Sequence, residues 1–160
     1  MNKKSITGAV LSSVLGAAGG AFFVNEKVGK EKARQKQLAD KHLALLIMMC
    51  DWMRTKQEGK SLAGYLKEKG YKRVAVYGLS YVGERLLDEL RDDGIEVVYV
   101  VDKKADPVYF DVEICRPEEE LEEVDAMIVT AITFYDEIRA ALEEKLQCPI
   151  LSLEDIIQEL

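Results

Sequence analysis

Four residues carry the chemistry this sequence can do: Gly78, Ser80, Gly83 and Asp102. They stand in the stretch VAVYGLSYVGERLL, which begins at Val74, and in IEVVYVVD, which ends at Asp102, 24 positions after Gly78. The order reads as strand, glycine turn, helix, strand, acid. A buried strand brings the chain to a tight turn at Gly78. The helix that follows directs its free N–H groups at a phosphate. An acid at the end of the second strand accepts from ribose hydroxyls. This is the chemistry of holding a dinucleotide or similar diphosphate. Ser80 stands where the pattern has its middle glycine, which lets the backbone approach the pyrophosphate. A Cβ there crowds the site, so the spacing specifies a class of ligand more firmly than a reaction.

The elements that must position these residues follow from the pattern of the C-terminal two thirds. Lys72–Tyr77 reads as the first strand and Tyr81–Arg91 as the first helix, closed by the turn Asp92–Gly94. Ile95–Val101 is a continuous β-branched run, suited to a strand buried on both faces. Asp106-Pro107 breaks the chain. Val112–Cys115 reads as a short third strand, Pro117–Leu121 as a helical turn and Ala126–Ala131 as the fourth strand. Thr133 is placed to cap a helix over Phe134–Leu146. Pro149–Leu153 is the fifth strand and Leu153–Leu160 a closing helix. Alternation of strands with helices predicts an α/β fold with one small, doubly wound parallel sheet in order 3-2-1-4-5. Ligands on such sheets bind beyond the carboxyl ends of the strands, at the switch between strands one and four. Three segments converge there: Gly78, Leu79, Ser80, Tyr81, Val82 and Gly83; Asp102 and Lys103; and Thr130, Ala131 and Thr133. These are the candidate cofactor-binding residues.

Composition excludes several other chemistries. His42 is the only histidine in 160 residues, which argues against a histidine-based metal site or triad. Cys50, Cys115 and Cys148 form no CxxC pair and leave an odd number, which fits core thiols in a reducing compartment. Residues 70–160 carry nine Lys/Arg against twenty-three Asp/Glu, too acidic to neutralise nucleic-acid phosphates. Residues 25–57 carry eight Lys/Arg against four Asp/Glu. This basic excess lies beside an apolar N-terminus and suits an anionic membrane surface.

Ile6–Val24 is a run of 19 residues without a charge. As a helix it spans roughly 28 Å, close to the hydrocarbon thickness of a bilayer. The heavier basic flank lies C-terminal to it, from Lys27 to Lys36, so the body of the protein is expected in the cytoplasm. Gly8, Ser12, Gly16 and Gly20 recur every fourth residue and form a smooth stripe that permits close helix contact. A cleaved signal with small residues at Gly19-Gly20-Ala21, and a helix lying on the membrane surface, are the alternatives. The expected organisation is a transmembrane anchor over residues 1–24, a connector helix over 25–59 and the α/β domain over 60–160. The connector is dense in apolar residues from Leu38 to Met53, so it must pack against its own sheet or against a second copy. Ser61 and Gly70 are placed to cap a short helix, Leu62–Lys69. His42, on the connector, reads as a packing or capping residue.

GYKRVAVYG over Gly70–Gly78, then Gly83 with Leu86–Leu90, then Val100–Asp102, resembles the small Rossmann domain of bacterial polysaccharide-biosynthesis proteins. That domain is similar to the nucleotide-sugar-binding part of sugar acyltransferases and to nucleoside-diphosphate-sugar epimerase and dehydratase relatives. Ile114–Leu121 and Met127–Ile132 continue the likeness. The resemblance implies a Rossmann-like fold with NAD(P) or a nucleotide-sugar bound. Gly78, Ser80 and Gly83 would then line the diphosphate, and Asp102 the ribose or base. Residues 8–37 resemble in composition the YtxH-type glycine-rich anchor of small bacterial envelope and stress proteins.

A complete catalytic constellation is missing. Tyr65 and Lys69 have the Tyr-x-x-x-Lys spacing of short-chain dehydrogenases but precede the glycine turn. Tyr135 and Arg139 put an always-charged arginine where a titrating lysine is needed. No second nucleotide-binding half follows the fifth strand in this sequence. The expectation is therefore a membrane-anchored, cytoplasm-facing nucleotide- or nucleotide-sugar-binding accessory protein of polysaccharide synthesis. Its partners would be the membrane, further copies of itself and an envelope-biosynthesis protein. A membrane scaffold with a vestigial site is the alternative, and an NAD-dependent oxidoreductase ranks below both.

Overall fold

The computed structural model describes residues 3–91, 93–103 and 112–160, with 3–27 described through the backbone alone. Helix α1 runs over Lys3–Gln57, followed by α2 (Leu62–Glu68), β1 (Arg73–Tyr77), α3 (Tyr81–Arg91) and β2 (Glu96–Val101). Then come β3 (Glu113–Cys115), β4 (Ala126–Val129), a 3₁₀ turn (Ile132–Phe134), α4 (Tyr135–Glu143), β5 (Ile150–Ser152) and α5 (Leu153–Glu159). The chain divides into two compact units, Met1–Leu43 and Ala44–Leu160.

In the first unit every side chain from residue 28 to residue 40 is exposed. Among the described residues no helix is long and apolar enough to cross a membrane. The expected span Ile6–Val24 and its small-residue stripe lie outside the described side chains, as Asp106-Pro107 lies outside the described residues.

The second unit is built on a five-stranded sheet in order β3-β2-β1-β4-β5, every neighbouring pair parallel. This is the order expected from the sequence. Alternation along the strands divides the core into two layers. Val74 and Val76 of β1, with Ala126 and Ile128 of β4, face α2, α3, α5 and the end of α1. Ala75, Met127 and Val129 face Leu142 of α4 and Leu146 beyond it. Helices thus cover both faces, as the buried parallel strands require. One residue, Val98, is inserted in β2 opposite the step from Val74 to Ala75. It shares a face with Tyr99, whose hydroxyl donates to the Glu122 carbonyl across 2.8 Å.

Local chemistry fixes the ends of the elements. Ser61 accepts from Gly64 N and caps α2. Gly70, at φ +84°, ends α2 with two bonds, Gly70 N to Lys67 O and Tyr71 N to Leu66 O. That pairing requires a left-handed residue and selects glycine. Asp125 Oδ2 accepts from Lys72 N at 2.7 Å and Arg73 N at 2.8 Å, tying the start of β1 to the approach to β4.

Three expectations are corrected. Thr133 does not cap a helix; it lies inside the 3₁₀ turn, and α4 starts at Tyr135 with no side-chain cap. Strand β4 stops at Val129; Thr130 N still donates to Tyr77 O at 3.0 Å, and its hydroxyl donates to the carbonyls at the end of β1. Pro117–Leu121 forms a turn without a helix, closed by Glu119 N to Arg116 O and by Glu119 Oε2 accepting from Arg116 N. Of the two partners expected for the connector, its own sheet is the one it packs on at its end. Met48 and Trp52 are buried in the sheet's core, while Leu46, Ile47 and Met53 are 60%, 52% and 61% exposed.

Candidate functional site

The carboxyl ends of β1, β2 and β4 meet at Gly78. Its φ of +101° is left-handed, and a Cβ there would sit 2.7 Å from Thr130 Oγ1. Gly78 N donates to Val101 O at 2.9 Å, and its carbonyl accepts from the Thr130 hydroxyl at 2.8 Å. A Cβ on Gly83 would lie 2.2 Å from that same carbonyl. The two glycines therefore serve one close approach between the turn and the first turn of α3. The amides of Tyr81, Val82 and Gly83 precede the first α3 bond, Glu84 N to Ser80 O, and so lack an intrahelical acceptor.

Asp102 lies just beyond β2, where Asp102 N donates to Cys115 O at 3.1 Å. Its Oδ2 accepts from Leu79 N at 2.7 Å. The acid thus fastens the glycine turn to the end of β2, a structural task the sequence pattern alone does not reveal. Arg116 Nη1 donates to the carbonyls of Asp102 and Lys103 and holds this strand end in place.

A cleft of about 440 Å³ opens at this edge. One wall is Tyr77, Gly78, Asp102 and Lys103, and the other is Ala131, Phe134, Glu137 and Ile138. Of the expected site residues, Gly78, Asp102, Lys103 and Ala131 line it. Thr130 is 2% exposed and holds the turn from beneath. Val82 is buried in the core, Leu79 packs partly against the same core, and Gly83 packs on Gly78. Ser80, Tyr81 and Thr133 are exposed, Tyr81 at 87%. Phe134, Glu137, Ile138, Tyr77 and Arg116 lie outside the expected set. The topology placed Thr130–Thr133 at this edge, and one further helical turn would have reached the first three.

Burial pushes the Tyr77 hydroxyl pKa up, and the charges of Asp102 and Glu118 add to it, so it stays a neutral donor. Burial likewise raises Cys115 and Cys148, with nearby carboxylates reinforcing the shift, which keeps both as thiols at neutral pH. Cys50 and His42, by contrast, are exposed, so neither is a core residue. Among the described residues no group of His, Cys, Asp and Glu could hold a metal.

Tyr65 and Lys69 line a separate cleft of about 500 Å³ with Ser61, Glu68 and Glu159. The Tyr65 hydroxyl donates to Glu159 Oε2 at 3.0 Å, and Lys69 Nζ stands 3.5 Å from the same carboxylate. Burial first, then Glu159, pushes Tyr65 up to about 12. A catalytic tyrosine base needs the opposite shift.

No curated protein and no solved structure gives a significant match to the chain. The family model described as C2185-like, N-terminal matches residues 70–149, half of the chain. The matched span holds β1 to β4, α3, α4 and every residue lining the 440 Å³ cleft. The chain therefore belongs to the C2185-like, N-terminal family.

Proposed function

We propose that this chain is a nucleotide- or nucleotide-sugar-binding accessory protein that works without a catalytic step of its own. The observation that carries the reading is the cleft at the switch between β1 and β4, with Gly78 and Asp102 in its lining. Open parallel sheets bind ligands at this edge. The amides at the start of α3 lie next to the cleft in sequence, after Gly78, and suit a diphosphate that reaches beyond the cleft's own lining, while the Asp102 carboxylate on the lining suits ribose hydroxyls. In this reading the uncharged run Ile6–Val24 anchors the protein in a membrane and the basic flank keeps the domain on the cytoplasmic side. A role in cell-envelope polysaccharide synthesis rests on the sequence resemblance alone.

Thermal unfolding of the full chain in detergent, with NAD, NADP, UDP-sugars or plain nucleotides added, tests the reading. A ligand at a hundredfold over its dissociation constant adds about 2.7 kcal/mol. Asp102→Asn keeps an acceptor for Leu79 N while removing the charge, and it should weaken the shift. No shift with any of these ligands would remove the reading.

A second reading, a scaffold that assembles through its connector, is supported by Leu46, Ile47, Cys50 and Met53. They recur at helical spacing and stay exposed on α1. Sedimentation of the full chain against a Leu46→Glu/Met53→Glu variant tests it. An oligomer in the parent and a monomer in the variant would support it, and a monomeric parent would end it.

A further inference from the structure

We infer that the base held by this cleft is an aminopurine, adenine or guanine, rather than uracil; the inference rests on the nucleotide-binding reading above. The wall opposite Asp102 is a helical shelf. Phe134 and Ile138 are four residues apart and Glu137 lies between them, so all three share one face of the 3₁₀–α4 run. Phe134 is 42% exposed at the cleft, a large apolar ring presented to solvent beside a second apolar side chain. A flat aromatic base stacks on such a ring, and a two-ring purine covers more of it than a pyrimidine.

Polarity then selects among bases. The cleft carries two carboxylates, Asp102 and Glu137, against one lysine, Lys103. Ionised carboxylates only accept hydrogen bonds, so the ligand groups facing them must donate. Ribose hydroxyls meet that need on the Asp102 wall. On the shelf, Glu137 meets the N6 amine of adenine or the N1–H and N2 amine of guanine. Uracil offers one N–H between two carbonyl oxygens, and those oxygens face the carboxylate unfavourably. Glu137 is exposed, so its mismatch with the uracil oxygens sets a preference between bases and not an exclusion. A uridine nucleotide is therefore the poorer occupant.

The test is calorimetric titration of the full chain with ADP, GDP and UDP, repeated with Glu137→Gln and Phe134→Ala. Glu137 is exposed and Phe134 is 42% exposed, so neither change empties the core. At least one purine nucleotide should bind ten times tighter than UDP. Glu137→Gln, which can donate as well as accept, should shrink that preference to about threefold or less. Phe134→Ala should weaken purine binding at least tenfold. UDP binding as tightly as both purines, or a preference unchanged in Glu137→Gln, would overturn the inference and leave the nucleotide reading standing. Binding of none of the three would overturn the inference, and the nucleotide reading itself would fall only if NAD, NADP and UDP-sugars also failed in the thermal test above.

Discussion

The indole Nε1 of Trp52 donates to Glu89 Oε2 across 2.8 Å, joining the end of α1 to the middle of α3. The other carboxylate oxygen accepts from Leu62 N at 2.8 Å and faces Lys56 Nζ at 3.0 Å. Three helices on one face of the sheet thus share one acid whose side chain is 6% exposed. Since α3 begins just after the glycine turn, the helix that follows Gly78 is tied through Glu89 to the Trp52 end of α1.

Glu89→Ala removes the acceptor from two N–H donors and the partner of Lys56. Lys56 is half exposed, so its ion pair is screened and adds little. The stranded donors set the loss at about 2–3 kcal/mol. Urea unfolding followed by Trp52, the only tryptophan, reads it directly. An unchanged midpoint would show that the carboxylate is not a structural acceptor.

Glycine substitutions separate steric need from backbone strain. Gly83→Ala places a Cβ 2.2 Å from the Gly78 carbonyl, with backbone rather than a flexible side chain in the way. It should destabilise by about 3 kcal/mol or more. Gly94 has φ +71° and open space around its missing Cβ. Gly94→Ala should lose about 1–2 kcal/mol from strain alone. Equal losses at the two positions would contradict the close approach of turn and helix.

Thr130→Val keeps shape and deletes the hydroxyl bonded to Gly78 O. A loss of about 1–2 kcal/mol is expected, together with weaker ligand binding as the turn loosens. Thr133→Val, one residue into the exposed 3₁₀ turn, should stay within about 0.5 kcal/mol of the parent. Thermal melts of the two variants side by side check both.

Asp125 gives a pH signature. Its carboxyl pKa is lowered chiefly by the backbone N–H groups of Arg73 and Lys72, against a smaller opposing effect of desolvation. A carboxylate with a depressed folded pKa contributes stability above its unfolded pKa, near 4, and loses it as pH falls through the folded value. The stability gap between parent and Asp125→Asn should therefore be full at pH 6–7 and narrow progressively below about pH 4. A gap independent of pH would mean that the two backbone bonds do not favour the charged form.

Local pattern was enough for the frame of this molecule. The β-branched run before Asp102 can only be a buried strand, and Tyr81–Arg91 has the same bounds in sequence and structure. The alternation of elements was enough for the order of all five strands. Contacts between segments distant in sequence were not legible. Glu89 looks like one more surface acid on an amphipathic helix until Trp52, 37 residues away, is folded against it. The spacing marks Asp102 as a candidate acceptor, but does not show that a backbone amide of the turn already uses one of its oxygens. The Thr133 expectation failed because a threonine before a helical run suits an N-cap, whereas a tight 3₁₀ turn intervenes and leaves that side chain outside.

The sheet's two margins carry a further consequence. Strands β3 and β5, which form its edges, are three residues long each, about 10 Å of backbone. A margin so short offers few unpaired amides and carbonyls as a template for a foreign strand. Among the described residues the sheet thus presents little edge for fibril-like stacking or strand donation.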